Sequence, residues 1–210
     1  PYKSNQQERY EKGVNSAVIM IHEWWGLNSS ICQTATIFSN KKFGVFVPDL
    51  YRSQPAKDAE NAGHKMSGLD WKGALEDIKH VKEHFEKLGK GVYVMGFCMG
   101  GALTIASICS IPGWKAASPF YGIPDLKAFN LANIKCPTLA HFGEEDVLQG
   151  FSCSKSAKGL KEEAEKVKAP VDVKIWPNAN HAFCNQDSRY FNAGVRDSAF
   201  KLTQELFEKN

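Results

Sequence analysis

Short apolar runs alternate with longer amphipathic stretches along the whole chain. We predict six strands from the runs that are nearly continuous in apolar residues: 17–21, 45–48, 92–95, 116–121, 138–142 and 171–176. A strand needs such a run when helices cover both of its faces, as they do in parallel sheets. The alternation therefore predicts an α/β fold with a mostly parallel central sheet and helices on both faces.

Apolar residues that recur every three or four positions mark the helices. The clearest stretch runs from Trp71 to Leu88, with Asp70 as a candidate N-cap and Gly89 as the expected stop. Trp71 belongs to the apolar face of this helix, so we expect it in the core. Further helices are predicted to begin near Ser29 and to cover residues 102–111, 154–168 and 191–208.

Length and charge exclude several classes of protein. At 210 residues, the chain is predicted to form one domain over residues 1–210. Its 26 Lys and Arg residues against 23 Asp and Glu residues give a net charge of +3 that is spread along the sequence, so we expect no nucleic-acid partner. The apolar runs are far shorter than the roughly 20 residues that cross a bilayer, so we expect no membrane partner. No exposed apolar stripe stands out, which favours a monomer.

The cysteines and the N-terminus bear on the compartment. Six cysteines with irregular spacing and no CxxC pair predict free thiols in a reducing environment. Residues 1–6 lack the apolar core of a signal peptide, so a cytoplasmic protein is expected.

The most specific local signal is the hexapeptide Gly-Phe-Cys-Met-Gly-Gly at residues 96–101, between a predicted strand and an apolar helix. This GxCxG pattern in a strand–turn–helix context is typical of a nucleophile elbow with Cys98 as the nucleophile. The flanking glycines let the strand and the helix pass closely at a strained turn. A helix that starts at the nucleophile favours a thiolate and the oxyanion that forms on its attack.

Two other interpretations of this turn remain open. Cys98 could be a buried, unreactive cysteine, which is common in protein cores. A phosphate-binding loop is weakly supported, because neither GxGxxG nor GxxxxGK[ST] occurs.

A nucleophile at such an elbow needs an acid and a histidine, which follow it in that order along the sequence, each in a loop after a later strand. Asp146 follows the strand at 138–142, and His181 follows the strand that ends at Trp176. Glu144 and Glu145 are rival acids. Among the other histidines, we expect His22 to border the site, His141 to pack inside its strand, and the remaining three to be exposed: His64, His80 and His84.

Several separated segments together resemble the dienelactone hydrolase family of the α/β-hydrolase superfamily. They are His-Glu-Trp-Trp-Gly-Leu-Asn at 22–28, Pro-Asp-Leu-Tyr at 48–51, the cysteine turn at 96–101, and the segments at 143–146 and 180–183, with a weaker match, Phe-Tyr-Gly, at 120–122. A cysteine in place of the elbow serine is itself a mark of this family. The resemblance implies an α/β-hydrolase fold in a single domain.

The resemblance also implies roles for individual residues. Cys98 would be the nucleophile, His181 the base, and Asp146 the carboxylate that orients the imidazole. Glu23 stands at the place of the family's additional carboxylate, which contacts the resting thiol and is displaced when substrate binds; otherwise it would cap a helix or face solvent. The oxyanion donors would be the backbone amides of Trp24 and Met99.

For substrate contacts, we expect these residues: Trp25, Tyr51, Arg52, Tyr121 and Phe183. The family members that act on dienelactone hold its carboxylate with two arginines, and here the sequence departs from that pattern. Arg52 stands one place early, and Asn185 replaces the second arginine, although Arg189 is close in sequence. Trp24 and Trp25 suggest a bulky apolar acyl or aryl pocket instead.

The predicted reaction is the hydrolysis of a small carboxylic ester or lactone through an acyl-thioester enzyme, with no metal or organic cofactor. A thioesterase and a broad arylesterase are alternatives within the same chemistry. A non-catalytic small-molecule binder or thiol sensor on the same fold is the rival outside it. A carbohydrate-binding module with Trp24, Trp25 and Trp71 as stacking platforms has little support.

Overall fold

A parallel sheet forms the centre of the molecule in the computed structural model, which describes residues 15–39 and 43–210. Its six strands have the order β2-β1-β3-β4-β5-β6, and every neighbouring pair is parallel. The strands are β1 (Ser16–Ile21), β2 (Gly44–Phe46), β3 (Gly91–Phe97), β4 (Ala117–Phe120), β5 (Thr138–Gly143) and β6 (Val171–Trp176). The predicted strands and the α/β class are confirmed, with shifts of at most two residues at the ends.

Six helices accompany the strands within the described ranges. They are α1 (Ser29–Ser39), α2 (Ala59–Ser67), α3 (Trp71–Lys87), α4 (Met99–Ser110), α5 (Ser154–Lys166) and α6 (Ala193–Glu208), with a short 3₁₀ turn at Leu131–Asn133. α3 begins as predicted, because the Asp70 side chain accepts a hydrogen bond from the amide of Lys72 at 3.1 Å. α2 escaped prediction since it buries only Ala62 and so lacks an apolar stripe.

The strand β1 shows how the two faces of the sheet are covered. Ile19 and Ile21 point to one face, where α3, α4 and α5 pack, while Val18 and Met20 point to the other, where α1 and α6 pack. All four side chains are fully buried. Each contributes on the order of 1.5–3 kcal/mol to folding, and the arrangement confirms the predicted helices on both faces.

Several other expectations can be compared with the described residues. All six cysteines are free thiols, and of these only Cys32 is exposed. Within the described ranges, no helix is long and apolar enough to cross a bilayer. The N-terminal segment at 1–6, on which the expectation about a signal peptide rests, lies outside the described residues. The reducing compartment, the cytoplasmic location and the monomeric state stay predictions.

Candidate active site

The segments that carry the predicted site residues meet at the carboxyl edge of the sheet. Glu23 follows β1, Cys98 follows β3, Asp146 follows β5 and His181 follows β6. Because all strands are parallel, their carboxyl ends lie along the same edge, where open α/β sheets bind ligands.

The turn at Cys98 has a strained backbone. Cys98 adopts φ 55° and ψ −116°, a combination that is unfavourable for a residue with a side chain. A Cβ atom on Gly96 would overlap the carbonyl oxygen of Gly100, and one on Gly100 would overlap the carbonyl oxygen of Ile21. Glycine is therefore required at both positions, since β3, α4 and β1 approach one another too closely for a side chain. α4 starts at Met99, three residues earlier than predicted, so its N-terminus lies directly at the thiol.

The Cys98 thiol is almost completely enclosed. Burial raises the pKa of this thiol well above its usual value, and the nearby carboxylates of Glu23 and Asp146 raise it further. Hydrogen bonds from the backbone amides of Met99 and Trp24 to the sulfur act in the opposite direction. The resting group is therefore a neutral thiol that lies against two backbone N–H donors.

Glu23 is held on both of its carboxylate oxygens. The hydroxyl of Tyr121 donates to Oε1 at 3.2 Å, and the side-chain amide of Asn185 donates to Oε2 at 2.5 Å. Burial raises the pKa of Glu23, while these two hydrogen bonds act against that increase. The ring of His22 donates from Nδ1 to the Glu23 carbonyl at 2.7 Å and accepts the Leu50 amide at Nε2, so His22 borders the site as expected.

His181 and Asp146 form a close pair in the same region. Nδ1 of His181 lies 2.8 Å from Oδ2 of Asp146, whose side chain is fully buried. The hydroxyl of Ser152 lies 3.1 Å from the same ring nitrogen. Burial alone would raise the pKa of Asp146, but the hydrogen bonds from His181, the Leu148 amide and Ser152 outweigh it and lower that pKa. The rival acids Glu144 and Glu145 are exposed.

A cavity of about 630 Å³ opens over these groups. Its wall includes all four predicted catalytic residues, namely Glu23, Cys98, Asp146 and His181, together with the two tryptophans Trp24 and Trp25. The two indole rings contact each other edge to face, with centroids 5.1 Å apart. This volume falls in the range of pockets that enclose a small organic molecule.

Four of the residues expected to contact substrate lie elsewhere. Arg52 is two-thirds exposed and pairs with Asp77 at 2.6 Å, outside the cavity. Tyr51 donates its hydroxyl to the Trp24 carbonyl at 2.8 Å, so it supports the loop that carries an expected oxyanion donor. Tyr121 and Phe183 are fully buried beneath the site, where Tyr121 contacts Glu23.

Two features of the site escaped the sequence analysis. Ser152 contacts the His181–Asp146 pair from a turn with no recognisable motif, so nothing in the sequence pointed to it. Asn185 was noted only as the residue in place of an arginine, whereas its side chain binds Glu23 and accepts the hydroxyl of Ser30 at 2.8 Å.

Comparison with known proteins identifies the family. The sequence model described as "Dienelactone hydrolase family" matches residues 8–210. A putative carboxymethylenebutenolidase of Aquifex aeolicus is 32% identical over 83% of this chain and 79% of its own length. The chain belongs to the dienelactone hydrolase family. A carboxymethylenebutenolidase of Rhodococcus opacus is a more distant relative, 22% identical over 95% of this chain and 83% of its own length.

Solved structures of dienelactone hydrolases share the fold. A putative dienelactone hydrolase from Klebsiella pneumoniae superposes with a TM-score of 0.85 at 19% identity, covering 95% of this chain and 89% of the other. The predicted family and the α/β-hydrolase fold are confirmed. The predicted class of enzyme, a hydrolase of carboxylic esters, agrees with the dienelactone hydrolase family and its carboxymethylenebutenolidase relatives.

Proposed function

We propose that this dienelactone hydrolase family member hydrolyses a carboxylic ester or lactone with Cys98 as the nucleophile, through an acyl-thioester enzyme. One arrangement carries the proposal. The thiol of Cys98, two backbone amides and the His181–Asp146 pair line or adjoin one cavity at the carboxyl edge of the sheet. Nucleophile, oxyanion donors and oriented base are the three parts that acyl transfer needs.

The first step joins proton transfer to attack on the carbonyl. His181 Nδ1 carries a proton toward Asp146, which leaves Nε2 as the base for the Cys98 thiol. Since the thiol is neutral at rest, its proton passes to Nε2 as the sulfur bonds to the carbonyl carbon. No hydrogen bond between Cys98 and His181 occurs among the described contacts, and such catalytic hydrogen bonds often form only when substrate is bound.

The oxyanion occupies the place where the resting sulfur lies. The backbone amides of Trp24 and Met99, which contact the thiol in the free protein, then donate to the carbonyl oxygen as it gains charge. Entry of the carbonyl turns the sulfur away from these amides and toward His181. The sulfur thereby also moves away from the Glu23 carboxylate, which removes one cause of the raised pKa of the thiol.

The remaining steps release the two products. The tetrahedral intermediate collapses, the bond to the alkoxide oxygen breaks, and this oxygen takes the proton from His181 Nε2. Water then gives a proton to Nε2 and adds to the thioester carbon. As the second intermediate collapses, the carbon–sulfur bond breaks and the sulfur takes this proton back from Nε2, which returns the free thiol and releases the carboxylic acid.

The decisive experiment compares p-nitrophenyl acetate hydrolysis by the wild type, Cys98→Ala and Cys98→Ser. A Cys32→Ser variant serves as the matched control, because Cys32 is the exposed cysteine and lies on α1. We expect turnover in the wild type and the control, its loss in Cys98→Ala, and one acetyl group on the Cys98 peptide after an acid quench. Full turnover in Cys98→Ala would refute the proposal, and ligand-induced stabilisation without turnover of any ester would favour the non-catalytic binder.

A further inference from the structure

Apolar side chains are concentrated at the rim of the cavity. Val147, Leu148 and Tyr190 line it and are 73%, 43% and 39% exposed. They make up half of the large hydrophobic residues that are exposed within the described ranges, the others being Ile37, Phe46 and Leu88. Exposed apolar residues that cluster beside a cavity are typical of a surface that a ligand covers.

These rim residues lie on the side of the site that holds the acid–base pair. Val147 and Leu148 directly follow Asp146, and the Leu148 amide donates to the Asp146 carboxylate at 3.0 Å. Tyr190 lies in the segment that follows His181. In the proposed mechanism, the alkoxide oxygen of the leaving group takes its proton from His181, so the alcohol part of the substrate must lie next to that ring.

The charges on the cavity wall oppose a substrate carboxylate. Three acidic residues line the cavity, Glu23, Asp146 and Asp187, against one arginine, Arg189, and the His181 imidazole that is paired with Asp146. The guanidinium of Arg189 donates to the Tyr190 hydroxyl at 2.5 Å and stacks on the ring at 4.6 Å. An anionic ligand would therefore meet a negative balance, and its desolvation would go largely uncompensated.

We propose that the site takes neutral esters whose alcohol part carries an extended apolar group, which packs on Val147, Leu148 and Tyr190. This inference rests on the proposed function, because the placement of the alcohol follows from the role of His181. A compact anionic lactone would leave the apolar rim exposed to water and would gain little from Arg189.

The test uses acetates of 4-alkylphenols, in which the leaving phenols have nearly equal acidity while the alkyl chain grows. Phenyl, 4-ethylphenyl and 4-butylphenyl acetate form the neutral series, and 3-(4-acetoxyphenyl)propanoate matches the butyl ester in length but ends in a carboxylate. Each buried methylene is worth up to about fourfold in kcat/KM. We expect kcat/KM to rise by roughly tenfold from the ethyl to the butyl ester. The kcat/KM for the carboxylate ester should be lower than that for the butyl ester by a similar factor.

Leu148→Ser and Ile37→Ser form a matched pair of variants. The two side chains have similar exposure, 43% and 41%, but Ile37 lies on α1 and does not line the cavity. We expect Leu148→Ser to flatten the dependence on chain length and Ile37→Ser to keep the wild-type slope.

The outcomes separate this inference from the proposed function. Turnover that depends on Cys98 but shows a flat or falling series, or a preference for the carboxylate ester, would overturn the substrate class alone. An unchanged slope in Leu148→Ser would overturn the role of the rim. Absence of turnover on phenyl acetate, or turnover that survives Cys98→Ala, would refute the proposed function, and the inference would fall with it.

Discussion

His141 lies in a chain of hydrogen bonds that fixes its neutral form. The indole N–H of Trp176 donates to Nδ1 at 3.1 Å, so Nε2 carries the proton and donates to the Thr203 hydroxyl at 3.1 Å. Thr203 lies 2.9 Å from the Ser118 hydroxyl, which donates to the carbonyl of Leu139 at 3.0 Å. Every polar atom along this buried path has a partner, and protonation at Nδ1 would break the first link.

Burial lowers the pKa of His141 from 6.5 to about 3, and the positive charge of Lys174 acts in the same direction. As pH falls below 6.5, the unfolded chain binds a proton at this residue while the folded protein does not, so stability is lost with falling pH. Linkage gives a loss of about 2 kcal/mol between pH 7 and pH 5 from this residue alone. This figure depends mainly on the unfolded value, because folded His141 stays neutral at both pH values.

The assay is urea denaturation of the wild type and His141→Gln at about pH 7 and pH 5. Any loss of packing or hydrogen bonding that is the same at both pH values cancels, since each protein is compared with itself. His80→Gln is the control, because His80 is an exposed histidine on α3. We expect His141→Gln to lose about 2 kcal/mol less than the wild type between the two pH values. An equal loss in both proteins would refute the reasoning.

Three further changes test the contacts around the site. Ser152→Ala should lower kcat/KM about tenfold, because the Asp146 carboxylate that orients His181 loses a donor that lowers its pKa; an unchanged kcat/KM would exclude this role. Asn185→Ala should lower the free energy of unfolding, measured by urea denaturation at neutral pH, by about 1–3 kcal/mol, since Glu23 keeps only one side-chain donor. An equally large loss at a pH where the Glu23 carboxyl is protonated would contradict that cause. Gly100→Ala should lower Tm sharply or prevent folding, because its Cβ would overlap backbone carbonyl oxygens; a wild-type Tm would show that the turn can relax.

The elements of the fold were predictable because each carries its signal in consecutive residues. Buried strands such as β3 need an apolar run, and α3 shows an apolar stripe beside its Asp70 cap. The cysteine turn was predictable for the same reason, since its glycines meet backbone atoms that any such strand–turn–helix unit brings close. α2 has no such signal, because its only buried residue is Ala62.

The substrate contacts were hard to predict because the sequence does not show in which direction a loop side chain points. Arg52 adopts φ 51°, and its guanidinium reaches Asp77 on α3 instead of the cavity. Ala182 adopts φ 59°, and the following Phe183 enters the core although it is two residues from His181. Single backbone torsions of this kind decide which side of a loop a residue faces, and the local sequence does not encode them strongly. Ser152 is a similar case, because its contact with His181 joins two loops that are distant in the sequence.

The environment of Cys98 also weighs against a thiol sensor on this fold. A sensor cysteine reacts through an accessible thiolate, which requires a lowered pKa. Cys98 is 8% exposed, and burial together with the Glu23 carboxylate raises its pKa, so the free protein holds the protonated, unreactive form. The same site gives the thiol two backbone amides for an oxyanion and an oriented imidazole in the same cavity. In the proposed mechanism these groups act mainly on the charge that develops when a carbonyl is bound, so the arrangement favours reaction with a bound ester over reaction with a diffusing oxidant.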